Sequence, residues 1–234
     1  MAARAGSTLS AASAAIIDGM AVHVDPFAGA ITDEARLRAL YERPVPQVLR
    51  KQLDHVDETA RRLIAVTRIV LVASHDAQGR CDVTPRGGPP GFVSTLDDQH
   101  VAIPDATGNR RLDTLVNIAA TGQAGLIFLI PGRDQTLRLN GRACVTADPE
   151  LLERLTPVGK PPRTAIVVRT DELYTHCPKA FVRSRLWDPA TWPGAAEQPS
   201  PAEVSHAHLS LSDPALTVAD VERQQAESLK HRLA

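Results

Sequence analysis

The sequence predicts a predominantly antiparallel β-barrel with helices at its periphery, and three observations lead there. Short β-rich apolar runs, about six of them, recur between Ile69 and Tyr174, separated by turn-forming residues. Only two short helical stretches interrupt these runs, so the strict strand–helix alternation of a doubly wound parallel sheet is missing. Outside this span the patterning is helical or weak. One elaborated domain is therefore expected: an N-terminal tail over residues 1–28, a helical region over 29–63, the barrel over 64–188, and a C-terminal extension with a helix over 189–234.

The elements follow in order. Pro44 and Pro46 divide the helical region, because a proline ring does not fit a helix interior. Beyond them residues 47–63 place Val48, Leu49, Leu53, Val56, Ala60 and Leu63 at mostly three- and four-residue spacing, the stripe of an amphipathic helix. Residues 69–73 form a strand, Asp76-Ala-Gln-Gly79 a turn, and the chain from Cys81 the returning strand of a hairpin. The Gly-Gly-Pro-Pro-Gly run at 87–91 halts pairing before strands at 92–96 and 101–103. Residues 109–120 read as a helix stopped by Gly122, and 124–130 and 136–145 as two strands. Asp148-Pro149-Glu150 starts a helix, with an acid at the N-cap and proline in the first turn. A strand at 164–174, a short helix or turn at 178–187 and a weakly patterned helix at 217–233 complete the chain.

Composition narrows the function. Twenty-six basic against 27 acidic side chains give a net charge of −1, which removes the broad attraction behind non-specific nucleic-acid binding. Aromatic residues at 3% leave few platforms for stacking bases. The longest apolar run, residues 124–131, is too short to span a bilayer. Cys81, Cys144 and Cys177 are odd in number and lack zinc-type spacing, so neither a disulfide framework nor a metal site is expected. The N-terminus lacks a basic region leading into a continuous apolar one, and a cytoplasmic protein is expected.

Four constellations carry possible chemistry. Pro104-Asp105-Ala-Thr-Gly-Asn109-Arg110-Arg111 runs from a strand into a helix start, where unpaired amides favour an anion and arginine forks match phosphate oxygens. An asparagine cap followed by solvated arginines explains the same residues equally well. Asp82-Val83-Thr84-Pro85-Arg86-Gly87 lies on the returning hairpin strand, where glycine lets a ring approach the backbone or simply makes a bulge. Arg138 and Arg142 share one strand face, either solvated or lining a polar pocket. His176 sits beside Cys177, but neighbours on a strand face opposite ways, so His176 reads as a hydrogen-bonding residue rather than half of a Cys–His pair.

Taken in order, Asp82-Val-Thr-Pro-Arg-Gly, Gly91-Phe-Val, Ile103-Pro-Asp, Gly108-Asn-Arg-Arg-Leu-Asp113, Asn117, Leu129-Ile-Pro-Gly132, Leu137-Arg-Leu-Asn-Gly-Arg-Ala143, His176-Cys-Pro-Lys-Ala180 and Arg183-Ser-Arg-Leu-Trp187 resemble the pyridoxamine 5′-phosphate oxidase-like FMN-binding split-barrel family. The resemblance is closest to the uncharacterised bacterial branch with HCxKA and RSxLW motifs. It implies a six-stranded antiparallel split barrel that forms a homodimer with FMN at the interface. Arg110 and Arg111 would grip the FMN phosphate with Asn109 beside them. Asp82, Val83, Thr84, Pro85, Arg86 and Gly87 would run along the ring, with Pro104 and Asp105 on the next strand. Thr136, Arg138, His176, Lys179, Arg183 and Trp187 complete the implied cofactor set; no catalytic residue is assigned. The tyrosine, arginine and serine that hold the oxidase's substrate phosphate have no counterpart in Pro149-Glu-Leu-Leu-Glu-Arg-Leu-Thr156, which argues against pyridoxamine phosphate as substrate. Two functions stay open: an FMN-dependent oxidoreductase acting on another small molecule, or a module that carries FMN, F420 or haem without turnover, with His176 important for haem.

Overall fold

In the computed structural model, residues 15–17, 20–22, 25, 27–106, 108–155, 158 and 160–232 are described. Most of the expected tail lies outside them; within it Ala15–Ile17 (β1) pairs antiparallel with Met20–Val22 (β2). The chain divides after Leu49 into two compact units. Helix α1 (Glu34–Leu40) of the first begins where Asp33 accepts the amide of Arg36, and it buries none of its residues.

The amphipathic helix expected over residues 47–63 is two helices, α2 (Pro46–Arg50) and α3 (Glu58–Val66). Between them the chain extends so that Leu53 and Leu173 exchange two backbone hydrogen bonds of 2.9 and 2.8 Å. Asp57 then caps α3 by accepting the Ala60 amide. A bridge to the sheet and an acidic cap thus override the apolar spacing, although Val56, Ala60 and Ile64 still face the core.

The remaining elements are β3 (Ile69–His75), β4 (Cys81–Gly87), β5 (Ser94–Thr95), β6 (His100–Pro104), α4 (Asp113–Thr121), β7 (Gln123–Leu129), β8 (Leu137–Thr146), α5 (Pro149–Arg154), β9 (Ala165–Arg169), β10 (Glu172–Thr175), α6 (Lys179–Ser184), α7 (Pro201–Leu209) and α8 (Val218–Arg232). Strands pair antiparallel in the order β4-β3-β7-β8-β9-β6-β5, with β10 also on β8. The architecture is the expected split barrel with peripheral helices, but among the described residues the sheet has eight strands and does not close. The stretch read as one strand at 164–174 breaks into β9 and β10, and only Ser94 and Thr95 of the expected strand at 92–96 pair. Phe92 and Val93 go into the core instead.

The split originates in β8. Residues 137–140 pair with β10 and residues 143–146 with β9, while β7 runs along the other edge. Gly141 is the changeover point. A Cβ there would lie 1.7 Å from the Arg169 carbonyl oxygen and 3.0 Å from the Asp171 amide nitrogen, so only glycine fits.

Inward-facing residues alternate along the central strands. Val70, Val72, Leu126, Phe128, Leu137 and Leu139 are buried, each contributing about 1.5–3 kcal/mol of hydrophobic stabilisation. Helix α4 closes one side of this core through Thr114, Asn117 and Ile118, spaced to share a face, and Asn117 Nδ2 donates to Ser74 Oγ at 3.2 Å. Gly122 ends α4 as expected: its φ is 67° and its amide donates to the Ile118 carbonyl at 2.8 Å. Beyond the barrel, Ser200 and Glu203 form a capping box that starts α7, a helix not expected from sequence, and Gln225 of α8 donates to Ser205 Oγ at 3.0 Å.

Candidate functional site

The end of β4, the end of β6, the loop into α4 and the 160–164 segment enclose a cavity of about 1100 Å³. Pairing brings these pieces together: Pro104 lies opposite Ala165 in the β6–β9 ladder, and the Asp105 amide donates to the Thr164 carbonyl at 2.9 Å. Of the expected set, Thr84, Pro85, Arg86, Gly87, Pro104, Asp105, Asn109, Arg110 and Arg111 line it. Asp82 acts one step back by accepting from Thr114 Oγ1 (3.2 Å), and Val83 is exposed.

The helix begins at Asp113 rather than at Asn109. Asn109 Oδ1 accepts the Arg111 amide at 3.0 Å, making a local turn, and the N-cap position falls on Leu112, whose side chain cannot cap. The amides of the first turn of α4 therefore have no side-chain acceptor at the cap, and residues 112–115 line the cavity. Arg110 and Leu112 hold φ of 65° and 61°, with Arg111 between them outside the positive region. Such alternation of φ sign is the backbone pattern of anion-binding turns, and each left-handed non-glycine residue costs about 1–2 kcal/mol.

Arg86, Arg110, Arg111, Lys160 and Arg163 line this cavity against two acids, Asp105 and Asp113. Arg111 Nε pairs with Asp113 Oδ2 at 2.7 Å, which leaves a clear positive excess. Arg86 Nε is buried with no hydrogen-bond partner. Burial pushes the Asp105 carboxyl above its ordinary range, and the Arg86 charge only partly opposes this. Sequence patterning does not single out Lys160, Arg163 or Thr114. The cation-flanked Lys160-Pro-Pro-Arg163 run is the available signal for the first two.

The rest of the expected set lies outside this cavity. The His176 amide donates to the Thr136 carbonyl at 2.9 Å, continuing the β8–β10 ladder in which Arg138 faces Tyr174. The Tyr174 and His176 rings meet edge to face at 5.3 Å, and burial, then the charges of Arg138 and Lys51, hold the His176 imidazole below its usual pKa. Lys179 and Arg183 are exposed on α6. Trp187 stacks on Phe181 at 5.8 Å and donates from Nε1 to the Arg133 carbonyl at 3.0 Å, so the aromatic residue at the cavity is Phe92. Cys81, Cys144 and Cys177 are free thiols. Among the described residues no three His, Cys, Asp or Glu cluster as metal ligands, and no helix is long and apolar enough to cross a membrane.

Fold and cavity define a split-barrel protein with a cationic pocket. The family described as pyridoxamine 5′-phosphate oxidase matches residues 56–177, just over half of the chain, and the protein belongs to that family. Solved structures similar to it include HupZ of Group A Streptococcus (18% identity, 51% of this chain and 93% of that one, TM-score 0.42). A protein related to general stress protein 26 from Clostridium acetobutylicum is also similar (18%, 50% and 87%, TM-score 0.38), as is HutZ, a haem storage protein of Vibrio cholerae (12%, 52% and 93%, TM-score 0.35). None of these likenesses is close enough to carry a ligand or an activity over to this chain. No curated protein matches it.

Proposed function

We propose that this protein binds FMN in the cationic cavity and acts as a cytoplasmic flavin-dependent oxidoreductase on a small molecule. The observation that carries this reading is the convergence of Arg110, Arg111, Lys160 and Arg163 with the uncapped first turn of α4. A phosphate monoester matches that donor set, because helix N-terminal amides and arginine forks both favour oxyanions. The orphaned Arg86 Nε fits a ligand that brings an acceptor of its own.

In this reading Arg110 and Arg111 hold the phosphate and Asn109 shapes the turn that presents them. Thr84, Pro85, Gly87, Pro104 and Phe92 form the wall along the ring. Bound there, FMN supplies hydride and electron transfer. The chain's part is to bind, orient and exclude water, with Arg86 placing positive charge beside the ring and Asp105 holding its proton more tightly than an ordinary carboxyl.

Homodimerisation belongs to the same reading and is supported by the outward sheet face. Pro85, Leu71, Ile127, Arg138 and Tyr174 form one row across five strands, and the next row begins at exposed Val83. A second copy on that face buries apolar surface that solvent otherwise meets.

The absorbance spectrum of the purified protein tests the cofactor: the twin near-ultraviolet and blue bands of oxidised flavin are expected. A second reading, a carrier of FMN, F420 or haem without turnover, draws on the half-buried, neutral-favouring His176, since neutral imidazole ligates iron. A Soret band in place of the flavin bands would establish haem, and protein that stays colourless after FMN, F420 and haem are each added and unbound ligand is removed would remove both readings.

A further inference from the structure

We infer that the apolar stripe of residues 37–49 is an interaction surface for a second copy of this chain, an assignment that rests on the homodimer reading above. The stripe has two halves built alike. Leu37, Leu40 and Tyr41 along α1, and Val45, Val48 and Leu49 along α2, repeat the i, i+3, i+4 spacing that puts side chains on one helix face. Such a face normally turns toward a core. Here all six residues are exposed by 46–67% in the single chain, and neither helix buries any of its residues.

The chain leads from this stripe to the rim of the outward sheet face. Just past α2, Lys51 Nζ donates to the Thr175 carbonyl and lies 5.9 Å from the centre of the Tyr174 ring, and Leu53 pairs with Leu173. Tyr174 belongs to the row proposed to lie against the second copy. A stable interface takes about 800 Å² from each partner. Toward the hairpin turn the sheet contributes little of this, since the next row, Val83, Ala73, Gly125, Asn140 and Glu172, offers one large apolar side chain. Six apolar side chains tethered beside Tyr174 add to that area. A lipid surface fits less well, because three acids against four arginines over residues 33–50 lack the strongly basic polar face of a membrane-surface helix.

Sedimentation of the full chain over a concentration series tests this. Wild type should dimerise, and Leu40→Ser/Val48→Ser, one substitution in each half of the stripe, should weaken dimerisation about tenfold or more. Neither side chain is buried in the single chain, so the circular dichroism of the variant should match that of wild type. In a mixture of methyl-carbon-13-labelled and unlabelled chains, isotope-filtered contacts from the Leu37, Leu40 and Val48 methyls to the unlabelled copy are expected. A dimer of unchanged strength in the variant, or stripe methyl contacts found only within one chain, would overturn the inference and leave the dimer standing. A monomeric wild type would overturn both. Stripe methyl shifts that appear only with phosphatidylglycerol vesicles would assign the surface to lipid and overturn the inference as well.

Discussion

Thr84 and Thr114 hold their hydroxyls 2.9 Å apart, and Thr114 Oγ1 donates onward to Asp82 Oδ2 at 3.2 Å, which fastens β4 to the first turn of α4 beside the cavity. Thr114 is 2% exposed, so neither bond is readily replaced by water. Thr114→Val removes both and is expected to cost about 1–3 kcal/mol, read as a lower urea midpoint. Thr114→Ser keeps the hydroxyl and should recover most of the loss. Equal midpoints for the valine variant and the wild type would show that this clamp contributes nothing.

Asp105 gives the cavity a pH signature. Burial raises its carboxyl above the ordinary 3.8, so the folded chain holds that proton more tightly than the unfolded chain. The associated stability is complete below the unfolded value and is lost as pH rises through the folded one. Asp105→Asn lacks this titration. The stability of wild type relative to the variant should therefore decline from acid toward neutral pH in paired denaturation curves, and a difference independent of pH would contradict this assignment.

Gly141→Ala tests the changeover in β8. The added methyl meets backbone atoms of Arg169 and Asp171 that side-chain rotation cannot move aside. Destabilisation by about 3 kcal/mol or more, or failure to fold, is expected in chemical denaturation. A variant within experimental error of wild type would mean that β9 and β10 do not separate around this residue.

What the sequence revealed was mostly local. The hairpin turn at Asp76 to Gly79 is legible because Asp76 Oδ1 accepts the amides of Gln78 and Arg80 while Gly79 adopts φ of 78°. Asp148 likewise accepts the Glu150 amide at the helix start that Asp-Pro-Glu marks. What escaped is set by pairings distant in sequence. Lys51 and Leu53 join the sheet through Leu173 and Thr175, and this overrides a convincing helical stripe. Lys160 and Arg163 reach the cavity only because β6 pairs with β9, a neighbour relation that no local pattern encodes. Arg110 and Arg111 are legible as an anion-binding pair, but their left-handed flanks and the later helix start are not.

The central claim is that the cavity holds a phosphate-bearing flavin through Arg110 and Arg111, and comparing FMN with riboflavin tests it most directly. Equilibrium titrations of wild type and Arg110→Ala/Arg111→Ala should show that wild type favours FMN. Each charge-assisted hydrogen bond that the double substitution removes should weaken FMN binding by roughly ten- to a hundredfold, while riboflavin affinity stays the same. Equal affinity for FMN and riboflavin in wild type, or unchanged FMN affinity in the double variant, would contradict it.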